Sequence, residues 1–590
     1  MKQPSQKNLP FGINQRLDLL YASLLYLILI LGITYPAIEH WGTQMIGGAW
    51  DSGQNIWNFW WIDKAIQQGN YLPYYTDMLY HPTGVSLALH PLALFNGYQA
   101  VLFHNALGMT FPAAYNTIAV IAFIISAVTS YWLVKQLTHN TVSAFIAGLI
   151  FAFSPVHLSR LHFGNLELFT SVQFVPLVAI CVIKGEQARQ WRYWIMGGVL
   201  IAAIGWQNLQ MALGTCLFAS MALLVFGNLK RDVRELLIQC LGMFLVSGVL
   251  LLPVAYPILR DLVDFPDQRN QTLASLSNSP DLLFYFLPDR SISTFWRVIL
   301  GNITQQPLTD FFQIHGQRTV FLGWSVIILA IYSIRTVSIS ITWRWWIIAV
   351  FFFILSLGPA LQINDKVIFA PMPYDILTKL PVIGLGREPA RFVVFMMLPL
   401  AVIVGHCVNA IGKRSFRHQL LVLLFGSLIY LEFVAVPMKL DDRLVTMPSY
   451  YSEIGQASTA HSGGILDVPY DLFGARGPAC DYMVYQTVHQ RPIISGYISR
   501  TPQYAARMLD NYPFVRQLRA RLYDDDEPLL FTNELITQGK HELYALNIEY
   551  IVLHKSQLSN DDSQVLENVI TQVVSKPVYR DDRILVWRLP

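Results

Sequence analysis

The chain has 590 residues, of which 54% are hydrophobic, 13% aromatic and only 13% charged. A water-soluble chain carries about 25% charged residues, so this one cannot clothe a soluble globule and reads as a polytopic membrane protein; the disordered, collagenous and disulfide-scaffold classes are excluded as well. The net charge of +3 is unevenly divided: residues 440–590 hold 14 Lys and Arg against 19 Asp and Glu, a balance of −5, and the first 439 residues a balance of +8. A basic membrane part and an acidic tail point to two domains on different sides of a bilayer, with no nucleic acid as partner.

A span needs about 20 mostly apolar residues to cross a hydrocarbon core of about 30 Å. Eleven are expected, near 17–38, 113–135, 142–158, 166–183, 193–209, 211–227, 236–258, 319–334, 345–362, 392–411 and 419–437. The first apolar run, Leu19 to Ile38, is long enough to span and has no suitably placed small-residue cleavage site, so it is not a cleavable signal. Every second connection is basic: Lys2, Lys7 and Arg16; Lys135; Lys184, Arg189 and Arg192; Lys230, Arg231 and Arg234; Arg335 and Arg344; Lys413, Arg414 and Arg417. The short connections between them offer only Arg160. Positive charge stays on the cytoplasmic side, which puts the N-terminus inside and, with an odd number of spans, the tail outside. The long segments 39–112, 259–318, 363–391 and 440–590 then share the outer face.

In the first outer segment, Ser52 to Gly69 reads as a helix with a side made of Ile56, Trp57, Trp60, Trp61 and Ile66. Tryptophan favours a membrane boundary because its ring is apolar while its N–H needs a partner, so this helix is expected to lie flat along the outer surface. A stretch rich in Tyr and Pro, Tyr71 to Gly84, precedes a second interfacial helix expected over Leu87–His104. The tail reads as an α/β domain: strands at Gly464–Val468 and Ile548–His554, a helix at Ala479–His489, and a terminal hairpin of Val573–Tyr579 with Ile584–Arg588. Four cysteines sit in apolar stretches and only Cys480 lies in the tail; without a CxxC pair, neither a zinc site nor a disulfide framework is indicated.

Three sets of residues could carry chemistry. Asp51, in GGAWDSGQNIWNFWW, is placed to take a proton from an acceptor hydroxyl, or to cap the helix that follows. His157, Arg160, His162, Asn165 and Glu167 form a polar cluster after the third span; it reads either as part of a site or as the solvating groups of a tight outer turn. Arg387 and Arg391, four apart in GLGREPARFVVF, stand on the outer side where basic residues are disfavoured. Two guanidiniums on one helix face suit a phosphate; the alternatives are snorkelling and a pair with Glu388.

These segments together resemble the GT-C superfamily of integral-membrane glycosyltransferases, which use lipid-phosphate-linked sugars. The resemblance rests on WDSGQNIWNFWW, PYYTDMLYHPTGVSLALH, FAFSPVHLSRLHFGNLELF and GREPARF, with ILDVP, YQTVHQRPIISGYISR and LNIEYIVLH in the tail, and is to bacterial members. It implies a polytopic α-helical membrane domain over residues 1–439, an extracytoplasmic α/β domain over 440–590, and a place in the bacterial plasma membrane. It implies Asp51 as general base, Glu167 with His162 as helpers, and Arg387 and Arg391 as holders of the lipid phosphate. Trp57, Trp61, Tyr80, His81 and Asn165 are expected to contact donor or acceptor. The donor would be a polyprenyl-phosphate sugar, the acceptor a glycan, lipid or protein, and one displacement would invert the anomeric centre. The first loop has no Asp-x-Asp and no Asp-Glu pair at Asp51, so no metal is assigned, and oligosaccharyltransferase and protein O-mannosyltransferase patterns are not matched. The rival reading, a transporter or lipid flippase, predicts ionisable groups deep in the spans; Glu432 is the main one here.

Overall fold

The computed structural model describes residues 13–49, 51–227, 233–265, 272–288, 294–301, 319–379, 386, 388–413, 416–434, 436–457, 463–472, 478–518 and 531–589. It separates into two compact units. One comprises Met1–Glu39, Thr117–Leu252 and Asn270–Met438; the other comprises His40–Asn116, Pro253–Arg269 and Lys439–Pro590. The first outer segment thus shares a unit with the tail.

In the first unit the eleven expected spans each find an apolar helix. Among the described residues eight helices are long and apolar enough to cross a membrane, and a ninth arises when Thr141–Ala152 and Pro155–His162, bent by 44°, are taken together. The other two, Trp191–Gly205 and Trp324–Thr336, are shorter. The chain is a multi-pass membrane protein. Val393–Gly412 is apolar all round and is the most enclosed, packed by Thr141–Ala152, Trp324–Thr336 and Ile339–Ser356, as a helix without a polar face must be. Arg16–Ile33 and Phe416–Phe433 instead leave most of their aliphatic side chains outward. Gly148 allows a close approach of helices: a Cβ there would lie 2.6 Å from the Ala127 carbonyl oxygen.

The second unit is built on a mixed four-stranded sheet. Gly464–Val468 runs parallel to Ile548–His554, which pairs antiparallel with Ile584–Arg588, and that strand with Tyr579–Arg580. Both long strands and the helix Ala479–His489 fall on the residues expected of them. The hairpin is shorter than expected, because the helix Asn560–Val573 takes the first residue assigned to it. Ser559 caps that helix, its hydroxyl accepting the Asp562 amide at 3.1 Å.

The helix Ser52–Gln67 is a correction to the flat, one-sided element expected. Thirteen of its sixteen residues are buried, and it packs on Ala479–His489 and on Leu94–Leu107. The indole N–H groups find protein partners instead of interfacial water: Trp57 donates to Gln486 Oε1 at 2.6 Å and Trp61 to the Pro73 carbonyl at 3.1 Å. The second helix begins at Leu94, later than expected, because Pro91 disfavours helix in the residue before it. Two short strands, Met45–Ile46 and Leu440–Asp441, pair antiparallel and join the first outer segment to the start of the tail.

Candidate active site

In the second unit Asp51 occupies the N-cap position of Ser52–Gln67, yet its side chain makes no capping hydrogen bond. The carboxylate Oδ1 instead accepts the Tyr497 hydroxyl at 2.8 Å. Beside it the helix start is fixed by a buried ion pair. Asp441 Oδ2 lies 2.5 Å from Ser52 Oγ, and Arg443 donates to the same carboxylate through Nε at 2.9 Å and Nη2 at 2.5 Å. Arg443 Nη1 reaches Asp481 Oδ1 at 3.2 Å. Gly53 is needed for this approach, since a Cβ there would stand 2.7 Å from Arg443 Cζ.

The electrostatics follow from burial. Burial pushes Asp481 above the usual carboxylate range, although Arg443 opposes it. Burial works against the charge on Arg443, but the carboxylates of Asp441 and Asp481 hold the guanidinium protonated. The Cys480 thiol is pushed up to about 12 by burial, which leaves it an inert thiol. The carboxylates of Asp441 and Asp481 thus gather about one guanidinium.

Four residues expected to contact substrate lie in this unit. Trp57 is fully buried. Tyr80 is fully buried too, and its hydroxyl lies 3.2 Å from the Leu472 carbonyl, 3.0 Å from that of Gly496 and 3.0 Å from Thr501 Oγ1. His81 packs its ring over Gly464 at the start of the first tail strand, and burial lowers its pKa. Trp57 and Tyr80 are packed inside the unit, whereas His81 is half-buried. Trp61 is buried against Pro73.

In the first unit a charged cluster is enclosed among the spans. Pro155, at the first position of Pro155–His162, suits a helix start because its missing N–H would be unpaired there anyway. That helix carries Arg160, which is 3% exposed and donates to Glu388 Oε2 at 3.0 Å. Arg391 meets the same carboxylate, Nη2 to Oε1 at 2.6 Å and Nε to Oε2 at 3.2 Å, and donates through Nη1 to Gln210 Oε1 at 2.6 Å. Glu167 is buried and interacts electrostatically with both guanidiniums. The pair with Glu388, an alternative in the sequence, is therefore the arrangement adopted by Arg391. Arg387 lies outside the described residues; the carbonyl of Gly386 before it accepts the Tyr374 hydroxyl at 2.8 Å and the Ser275 hydroxyl at 3.2 Å.

Of the polar turn, His162 and Asn165 are buried near this cluster in sequence, His162 edge-on to Phe163 at 5.2 Å. His157 is a packing residue, Nε2 at 2.8 Å from the Phe169 carbonyl and its ring stacked on Phe123. Glu432, the charge that favoured transport, receives the Ser325 amide at 3.1 Å near the N-terminus of Trp324–Thr336, where a helix favours an anion. Two donors in the cluster have no partner among the described residues: Arg160 Nη2 and Gln210 Nε2, both buried. Among the described residues no three His, Cys, Asp or Glu side chains gather as metal ligands, so no metal step is derived.

No protein-family model and no curated protein matches the chain. Solved structures do. The cryo-EM structure of the arabinofuranosyltransferase AftD from Mycobacteria aligns with 98% of this chain at a TM-score of 0.57 and 15% identity. The apo oligosaccharyltransferase of Archaeoglobus fulgidus aligns with 91% at 0.51 and 15% identity, covering 69% of that chain. ArnT from Cupriavidus metallidurans, also apo, aligns at 0.50 and 12% identity over 97% of both chains. The chain has the GT-C glycosyltransferase fold. It spans 42% of the AftD chain. At these identities the GT-C likeness is one of architecture, and the residues of the two clusters rest on their own geometry.

Tyr497, Gln210 and the Asp441–Arg443 pair were not singled out from the sequence. Tyr497 lies within the quoted ISGYISR, but its partner is 446 residues away. Arg160 was named only within the polar turn, and its link to Arg391 passes through Glu388, 228 residues on.

Proposed function

We propose that this protein is a glycosyltransferase that moves a sugar from a polyprenyl-phosphate donor to an acceptor hydroxyl at the outer face of the membrane, with inversion. The observation that carries the reading is the pair of buried donors without acceptors among the described residues, Arg160 Nη2 and Gln210 Nε2, on side chains joined through Glu388 and Arg391. A buried unpaired donor costs about 1–3 kcal/mol, and a phosphate bearing several acceptor oxygens would relieve both. The GT-C fold, shared with proteins named as glycosyltransferases, supports the same reaction class.

In this reading Arg391, with Arg160 and Gln210, holds the donor phosphate, and Glu388 keeps the two guanidiniums in register. Arg387 is assigned to the same role. Asp51 accepts the proton of the acceptor hydroxyl while that oxygen bonds to the anomeric carbon; the carbon–oxygen bond to phosphate breaks, and the guanidiniums stabilise the departing lipid phosphate. Tyr497 keeps the Asp51 carboxylate oriented. Glu167, His162 and Asn165 assist, and the acceptor is a glycan, lipid or protein. The N-terminus is cytoplasmic, the tail domain lies outside the bacterial plasma membrane, and the reaction uses no cofactor. Imaging the purified protein with a polyprenyl phosphate tests this. Phosphate density is expected within hydrogen-bond reach of Arg391 and Gln210, and density elsewhere, with the cluster unchanged, overturns it.

A further inference from the structure

Between the span Ile339–Ser356 and the loop that leads to Arg391 stands a small hairpin that the proposed reaction does not use. Leu361–Ile363 pairs with Lys366–Phe369, and Ile363 faces Lys366 across the two-residue turn Asn364–Asp365. Both turn residues have positive φ, 53° and 58°, the geometry that matches strand twist in a tight hairpin. The hairpin is held firmly at its root. The Asp365 amide donates to Asp281 Oδ2 at 3.0 Å, Gln362 Nε2 to the Leu276 carbonyl at 3.0 Å, and the Met372 amide to the Pro359 carbonyl at 2.8 Å.

Its outer strand is apolar and uncovered. Val367, Ile368 and Phe369 are 55%, 59% and 58% exposed, and Ala370 and Pro371 continue the exposed run. Successive side chains in a strand point to opposite faces, so Val367 and Phe369 leave one face of the hairpin apolar and Ile368 the other. A protein partner laid on one face would leave the other in water. A lipid leaflet surrounds both. The hairpin begins five residues after Ser356, at most about 18 Å of extended chain from the end of the span. The same span carries outward Ile347 and Val350.

We infer that this hairpin dips into the leaflet at the end of the Ile339–Ser356 span. Its depth is bounded. The sheet has only two strands, so each strand keeps an edge of unpaired backbone groups. Those groups cannot enter the hydrocarbon centre but are tolerated at the headgroup–acyl boundary, where apolar faces sit about 5–10 Å deep. Lys366 at the turn can extend its ammonium back to the headgroups.

The test uses the unaltered protein in vesicles of phosphatidylethanolamine and phosphatidylglycerol. A lipid with a diazirine near its glycerol, a lipid with a diazirine at its chain end, and a water-soluble diazirine are photolysed in parallel, and adducts are mapped by mass spectrometry. Adducts on Val367, Ile368 and Phe369 are expected from the first lipid, with few from the chain-end probe. Ile347 and Val350 supply the positive lipid control, and Lys379 should react with the aqueous probe. The Ile368→Asp, Phe369→Asp double variant should lose the hairpin adducts while keeping those on the span. Aqueous adducts on the hairpin, lipid adducts on one strand face only, or none from any probe, as a covering protein would give, each overturn the inference. None of these outcomes depends on the transfer reaction.

Discussion

Asp51 is asked to do two things, to begin a helix and to take a proton, and the structure separates them. Its side chain makes no cap hydrogen bond and instead accepts from Tyr497. Asp51→Asn keeps size and capping ability but loses the basic oxygen, so sugar transfer should fall ~10²–10⁴-fold with thermal stability near that of the parent. Wild-type turnover in that variant would remove Asp51 from the reaction. Tyr497→Phe removes one hydrogen bond to the carboxylate, about 1–3 kcal/mol, and should lower kcat while leaving donor binding unchanged; a change confined to KM would count against a positioning role. At the other cluster, Arg391→Lys retains the charge but not the fork that engages Glu388 and Gln210. Donor affinity measured by titration should weaken by about 1–3 kcal/mol, and unchanged affinity would return Arg391 to a purely structural pair.

At the scale of elements, helices were legible wherever their periodicity and length were set locally. Among the described residues apolar helices fall on all eleven expected spans, eight of them long enough to cross a membrane, or nine with the bent pair, and Ala479–His489 and both long tail strands fall where their patterns predict them. What was not legible was which face meets what. The Trp-rich helix Ser52–Gln67 carries the signature of a membrane surface, yet its indoles donate to Gln486 and Pro73, and no local pattern names a partner 429 residues away. Tyr80 reads as a contact residue because aromatic groups often are; its burial is decided by tail residues Leu472, Gly496 and Thr501. Tight helix contacts offer a direct check. Gly148→Ala would place a methyl against the Ala127 carbonyl and the Tyr26 side chain, and overpacking of this kind costs about 1–3 kcal/mol. A lowered unfolding temperature in detergent is expected, and an unchanged one would mean the helices slide apart freely.

At the scale of the whole molecule, acid should loosen the second unit. Glu549 pairs with Arg491 and lies 3.1 Å from Arg588 and from the Gly463 amide. Burial tends to raise its pKa, but these partners outweigh burial and hold it below its ordinary value of about 4.5. A carboxylate depressed in the folded state adds stability above its unfolded pKa and loses it as pH falls through the folded one. Melting temperature should therefore drop as pH falls below about 4.5, and Glu549→Gln should be less stable at pH 7 with a shallower acid limb. An identical acid limb in the variant would assign the loss to other groups.

The pairing of Met45–Ile46 with Leu440–Asp441 has a bearing on how the protein is made. Ser52 meets Asp441 across 389 residues, and synthesis proceeds at about 5–20 residues per second. For tens of seconds the helix that begins beside Asp51 has been translated while the carboxylate and guanidinium that fix its first turn have not. Protease accessibility of ribosome-bound chains should show this: cleavage near residues 52–67 is expected in chains arrested before residue 440 and lost once the tail has emerged. The turn beside Asp51 would then be assembled last, so that an unfinished chain in the membrane lacks the contacts that fix it.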